Sequence, residues 1–259
     1  MNFEYDDEEL LKREKSDDLL FEAYDEPIKS KAIKLAKQAL EINPENTDAS
    51  NFITKFETNT IKKLKKYKET LDNEYEKLQK EDIFNEENVG IFWGLIETRP
   101  YMRTKHCYML TLMELGRYTE AIEQGKEMLK LCENDNLGIR YLIVGIYTLL
   151  ERFDECEKIY KKYSEDSVFM QFPISIMYYK MGEYKKAKKI LKEIKKNNQY
   201  ILECLMQRIK FSKSEINSFE ERGTYSFGTE EEAYFVIKDY KYLTSTVPTF
   251  IEFLEREIK

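Results

Sequence analysis

Leu115-Gly116-Arg117-Tyr118, followed by Ala121, decides how this chain folds, because the same arrangement returns twice. Glu151-Arg152-Phe153 is followed by Cys156, and Gly182-Glu183-Tyr184 by Ala187. Each time a short break precedes an aromatic, and a small residue comes three positions later. Tyr118, Phe153 and Tyr184 stand about 31 to 35 residues apart, the spacing of stacked helical hairpins. Apolar residues recur at helical spacing on both sides: Tyr108, Leu112 and Leu115 before the first break, Ala121, Ile122, Met128 and Leu129 after it. One hairpin cannot bury both of its apolar faces, so neighbours stack and share a core. The stretch from Glu97 to Tyr163 predicts two such hairpins, and Ser167 to Ile194 a third.

Composition points the same way. Nine Gly and five Pro in 259 residues are too few for the turns of an all-β chain, so long helices with short connections are expected. Charged residues at 35% suit helices with one wet face. The 42 basic and 49 acidic side chains give a net charge of −7, which speaks against a nucleic-acid partner. Two basic runs, Lys62 to Lys68 and Lys185 to Lys196, carry apolar residues at helical spacing between their lysines. They read as solvated helix faces or as docking patches. No apolar run approaches the ~20 residues of a membrane helix, and the acidic opening from Met1 to Glu9 lacks the basic head of a signal peptide. No membrane partner is expected, and the expected location is cytoplasmic. Cys107, Cys132, Cys156 and Cys204 form no CxxC pair and sit in helical apolar patterns, as small buried hydrophobes do.

Residues 1–16 read as an acidic segment, frayed at its start or helical from Glu8, and 17–259 as a single helical-repeat domain. Asp17 or Asp18 caps a helix through Leu19, Leu20, Ala23 and Tyr24; Ala32, Ala36 and Ala39 line a second, which Asn43-Pro44 ends. Residues 47–100 do not fit a plain repeat and read as an irregular insertion, with one helix near Phe52 and a long one from Ile61 to Leu78. Residues 199–259 read as a helical C-terminal cap. Within it, 222–228 form a loop, and Thr229 with Glu232 a capping box.

Ala32 to Pro44 resembles the second helix of a tetratricopeptide repeat, and the Gly116, Arg152 and Gly182 breaks resemble that family's turns. The resemblance implies an all-α fold, a right-handed superhelical array of helical hairpins. A narrower resemblance is to bacterial relatives of the suppressor-of-tumorigenicity-seven family. It is carried by Ala39-Leu40-Glu41-Ile42-Asn43-Pro44, Trp93-Gly94, Glu97 to Arg103, Asn134-Asp135-Asn136 with Gly138 to Tyr141, Gly228 to Ala233, and Thr246-Val247-Pro248. Neither resemblance implies catalytic chemistry. The tetratricopeptide family implies a concave groove lined by first helices, here by Arg103, His106, Cys107 and Leu110, then Tyr141, Leu142 and Gly145, then Phe169, Phe172, Ile176 and Tyr179. The family's carboxylate clamp is not matched at His106, Leu110, Leu142 and Gly145.

The residues a repeat does not require are the candidates for a site: Arg99, Tyr101, Arg103, His106, Asn136, Arg140, Tyr141, Phe172 and Tyr179. Arginine forks pair bidentately with carboxylates, so Arg99, Arg103 and Arg140 offer donors to an acidic partner group, or pair internally. His106 is the only histidine, which rules out His-rich metal sites, and no phosphate-binding loop, dinucleotide fingerprint or HExxH is present. The expected function is a non-catalytic module that binds a protein or peptide, with no cofactor and no metal. Two alternatives are a phosphate- or nucleotide-ligand protein using Arg99, Arg103, His106 and Arg140, and a structural homo-oligomer.

Overall fold

The three repeated breaks close with the same hydrogen bond. Arg117 N–H donates to the Leu112 carbonyl, Arg152 to Tyr147 and Glu183 to Tyr178, each at 2.9 Å in the computed structural model, which describes residues 7–258. This six-to-one bond needs a left-handed residue just before its donor. Gly116 (φ +71°) and Gly182 (φ +74°) adopt that conformation freely, whereas Glu151 (φ +58°) does so against its Cβ. Ala121, Cys156 and Ala187, three residues into each following helix, are fully buried. Their small size lets the paired helices approach.

The described residues form fifteen α-helices and no strand, so the chain is all-α. They divide into two compact units, Met1–Ile139 and Arg140–Lys259, where a single domain over 17–259 was the expectation. The first unit contains α1 (Asp7–Asp25), α2 (Lys29–Ile42), α3 (Thr47–Lys55), α4 (Thr60–Lys80), α5 (Arg99–Glu114) and α6 (Tyr118–Leu131). Consecutive helices pack together, and α3 also packs on α5. α1 starts at Asp7, next to the helical start read at Glu8, and runs on without a break, so the expected cap is corrected: Asp17 and Asp18 lie inside the helix. Residues 1–6 fall outside the described residues. The two helices read within 47–100 are present as α3 and α4, capped by Asn46 and Asn59 side chains that accept from Ala49 and Lys62 N–H. Only the link from α4 to α5 is irregular. It includes a 3-10 turn at Phe92–Gly94, and it packs through an edge-to-face cluster of Phe84, Phe92 and Tyr101.

The second unit contains most of α7 (Ile139–Leu149), then α8 (Phe153–Tyr163), α9 (Val168–Lys180), α10 (Tyr184–Asn197), α11 (Gln199–Leu205), α12 (Lys213–Arg222), α13 (Glu230–Asp239), α14 (Lys241–Thr244) and α15 (Thr249–Glu257). Every residue of α9 from Val168 to Met177 is buried, as expected of a helix that is apolar on all sides. It packs against α8, α10 and α13. The capping box expected at Thr229 is half made. Thr229 accepts from Glu232 N–H (3.3 Å), but the Glu232 carboxylate turns to Asn198 Nδ2 (2.8 Å) and Gly228 N–H (2.8 Å). The complete box belongs to Ser212 and Glu215, at the start of α12.

The turn geometry makes a prediction with opposite signs. No neighbour lies within 4 Å of a Cβ built on Gly116 or Gly182, so only the backbone resists substitution there. Gly116→Ala and Gly182→Ala should each cost about 1 kcal/mol in urea unfolding, while Glu151→Gly should gain about 0.5–1 kcal/mol.

Candidate functional site

The first unit presents a face lined by α1, α3 and α5, to which the sequence candidates contribute through α5 alone. Helical spacing puts Arg103, His106, Cys107 and Leu110 on one side of α5. Arg103 donates from Nε to Asp48 Oδ1 (2.8 Å) and from Nη2 to Oδ2 (2.5 Å), a fork that ties α5 to the first turn of α3. From α1, Tyr24 packs edge-on against Phe52 of α3, with ring centroids 5.0 Å apart. Its hydroxyl lies within electrostatic reach of Asp48, Arg103 and Cys107.

Buried polar groups hold these helices in register. Ser16 Oγ donates to the Ala39 carbonyl (2.8 Å). Asn46 Nδ2 donates to Ser16 Oγ (2.8 Å) and Asp17 Oδ1 (3.0 Å), while its Oδ1 caps α3. Asn51 Nδ2 donates to Thr104 Oγ1 (2.8 Å), and Thr47 Oγ1 bonds the buried Glu74 carboxyl. Burial raises the Glu74 pKa above the ordinary carboxylate range. Beside this network lies a cleft of about 310 Å³, whose lining includes Arg13, Asp17, Asp48, Glu97, Pro100 and Arg103.

The α1 side of the face is apolar and open. Leu10, Phe21 and Tyr24 are 46%, 65% and 57% exposed. Together with Asp17 they follow helical spacing on one side of α1, away from buried Ser16, Leu20 and Ala23. An apolar stripe left largely in water, ending in two aromatics one turn apart, is not what a solvated helix needs.

The second unit treats its own face differently. The expected groove residues on α7 and α9 are covered by the chain itself. Pro173 sits inside α9 and has no N–H, so the Phe169 carbonyl has lost its helical donor. The Tyr240 hydroxyl replaces it, 2.7 Å from the Phe169 carbonyl and 3.0 Å from the Tyr141 carbonyl. Tyr240 is 2% exposed and packs on Phe172 (5.8 Å). Tyr242 lies over Gly145: a Cβ built there would stand 2.3 Å from the Tyr242 hydroxyl and 2.8 Å from Tyr240 Cε1. Tyr225 stacks on Phe169, and Phe250 and Phe253 pack on Tyr179.

The predicted site residues therefore separate. Tyr101 and Phe172 are core residues, 3% and 0% exposed, and leave no surface for a partner. Tyr179 is half-buried under α15, and the expected open groove of α7 and α9 is corrected to a filled one. Arg99 Nε donates to the Trp93 carbonyl (3.0 Å), with its guanidinium over the Trp93 ring. Arg140 forks onto Glu165 (2.9 and 3.1 Å) and donates to the Tyr141 hydroxyl (2.7 Å). Asn136 is exposed and accepts from Cys132 Sγ (3.2 Å). Each arginine is thus engaged internally, and Arg103 pairs with Asp48, not with the exposed Glu97. Arg99, Arg103 and His106 belong to the first unit and Arg140 and Tyr141 to the second.

Half-buried His106 has its pKa lowered to about 4 by burial. The unfolded chain takes up a proton near pH 6.5 and the folded chain only near pH 4, so the neutral ring's contribution is complete above pH 6.5 and lost as pH falls below it. Asp48, Phe21, Tyr24 and Tyr240 complete the picture and were not among the sequence candidates. The signal for Tyr240 was Pro173 within a helical pattern, an unmet carbonyl one turn earlier. Among the described residues no His, Cys, Asp and Glu group is arranged to hold a metal ion, and no helix is long and apolar enough to cross a membrane. Set against known proteins, the chain matches no protein-family model, and no curated protein matches it in sequence.

Close packing over Gly145 is directly testable. Gly145→Ala should lower stability by about 1–3 kcal/mol by overpacking, despite the better helix propensity of alanine. In a Tyr242→Phe background, where the nearest clashing atom is gone, calorimetry should find a smaller loss.

Proposed function

We propose that the chain is a non-catalytic, helical-repeat interaction module of the cytoplasm, and that its α1, α3 and α5 face binds an amphipathic helix of a protein partner. In this reading the hairpins of each unit stack in the tetratricopeptide manner, as the repeated turns and their sequence resemblance suggest. The bacterial relatives of the suppressor-of-tumorigenicity-seven family are the narrower relatives it would join. The observation that carries the binding site is the exposed stripe of Leu10, Phe21 and Tyr24 beside the Arg103–Asp48 fork. Aromatic anchors next to a polar rim are what a helix-in-groove contact uses. The second unit supplies an internal precedent, since its own α7 and α9 face takes a tyrosine-bearing helical segment. Four free thiols suit a reducing compartment. The phosphate-ligand alternative gains no support, because Arg99, Arg103 and Arg140 are already engaged.

Photo-crosslinking tests the reading. A benzoylphenylalanine at position 21 should trap a protein partner in native cells, and the same probe at buried position 240 should not. Tyr24→Ala or Arg103→Ala should cut the trapped yield about tenfold or more, the loss expected of an interface anchor. Equal trapping at both positions, or yields indifferent to both substitutions, would count against it.

A further inference from the structure

The solvated side of α10 carries a line of unneutralised charge. Ala187, Ile190, Leu191 and Ile194 point into the core, which sends Lys185, Lys189, Lys192 and Lys196 to the opposite side. Their spacing of i, i+4, i+7 and i+11 makes one straight ridge about 16 Å long. All four are exposed, and none makes an ion pair among the described residues. Some surface lysines of this chain pair with carboxylates four residues away, as Lys65 does with Glu69, Lys68 with Asp72 and Lys161 with Glu157. On the ridge, lysines instead face lysines at that spacing, Lys185 with Lys189 and Lys192 with Lys196, which destabilises a helix.

Carboxylates border the ridge on both flanks. Glu183 pairs with Lys186 (3.7 Å) and Glu257 with Lys188 (2.9 Å). Glu193 adds a third, and Glu157 of α8 reaches the Tyr178 hydroxyl (3.2 Å), over whose ring Lys186 sits. A broad anionic plane such as a lipid surface would meet these carboxylates as well as the lysines. A narrow ligand would meet the lysines alone. The ridge holds no arginine to fork onto phosphate or guanine and no aromatic for a base to stack on, so it lacks the features that recognise nucleic acid.

We infer that the α10 ridge docks an acidic helical segment of a protein partner, one that presents carboxylates in line at the same i, i+4, i+7, i+11 spacing. This surface is separate from the α1, α3 and α5 face and stands whether or not that face binds a helix. Charge complementarity along one line supplies register, and lysine point charges make the contact sensitive to salt.

Fluorescence anisotropy on the full chain tests this with an alanine-based helical peptide bearing glutamates at those four positions. The comparison ligands are a peptide of the same composition with its glutamates distributed around the helix, an oligothymidylate, and phosphatidylserine vesicles. The ordered peptide should bind about tenfold more tightly than the redistributed one and weaken as salt is raised. The double substitution Lys189→Glu and Lys192→Glu should reduce binding about tenfold while the protein melts no lower than wild type. Equal binding of the two peptides, tighter binding of the oligonucleotide or the vesicles, or indifference to the double substitution would overturn the inference.

Discussion

A single hydroxyl decides which surfaces of the second unit are available. Pro173 removes one N–H from the middle of α9, and a buried carbonyl left without a donor is costly. The Tyr240 hydroxyl takes the place of that donor, and residues of the C-terminal segment pack with it over α7 and α9. Gly145 makes the approach possible because it has no side chain to stand in the way of Tyr240 and Tyr242. Asn198 then fixes the segment from its other end, donating to the Thr229 carbonyl and the Glu232 carboxylate. Phe250 and Phe253 of the same segment cover Tyr179. The groove is closed by packing and hydrogen bonding together.

The first unit holds its helices by other means. Polar groups do the joining: Ser16, Asn46 and Asp17 link α1 to the start of α3, Thr47 and Glu74 link α3 to α4, and Asp48 and Arg103 link α3 to α5. Such a network fixes register while leaving apolar surface unused. That surface is the Leu10, Phe21 and Tyr24 stripe, and nothing from the described residues of this unit covers it fully. The contrast between a filled face and an open one is what gives the proposed function its location.

The hairpins were legible because they rest on local rules. Gly116, Glu151 and Gly182 announce left-handed helix ends, and the small residue three places after each aromatic marks where helices touch. The site was less legible, since it depends on contacts between residues far apart in sequence. Arg103 stood out in the sequence, but its partner Asp48 lies on another helix, and no local pattern joins them. Tyr101 and Phe172 looked like groove aromatics because helical spacing gives a face but not what covers it. The covering residues, Tyr240 and Phe253, come from a C-terminal cap whose helical pattern was legible but whose docking surface was not. Within 47–100 the helix near Phe52 and the long one from Ile61 to Leu78 were legible from their apolar spacing, and the link from α4 to α5 was not, because its Phe84, Phe92 and Tyr101 cluster joins residues with no common period.

Closure of the α7 and α9 face turns on the exchange between Pro173 and Tyr240, and a double-mutant cycle measures it. Tyr240→Phe in the wild-type background leaves the Phe169 carbonyl without a donor and should cost about 1–3 kcal/mol. Pro173→Ala restores an N–H one turn after that carbonyl, so in its presence Tyr240→Phe should cost less, with a coupling of about 1 kcal/mol between the two positions. Losses that simply add, to within about 0.3 kcal/mol, would contradict the claim that the hydroxyl replaces the missing helical donor.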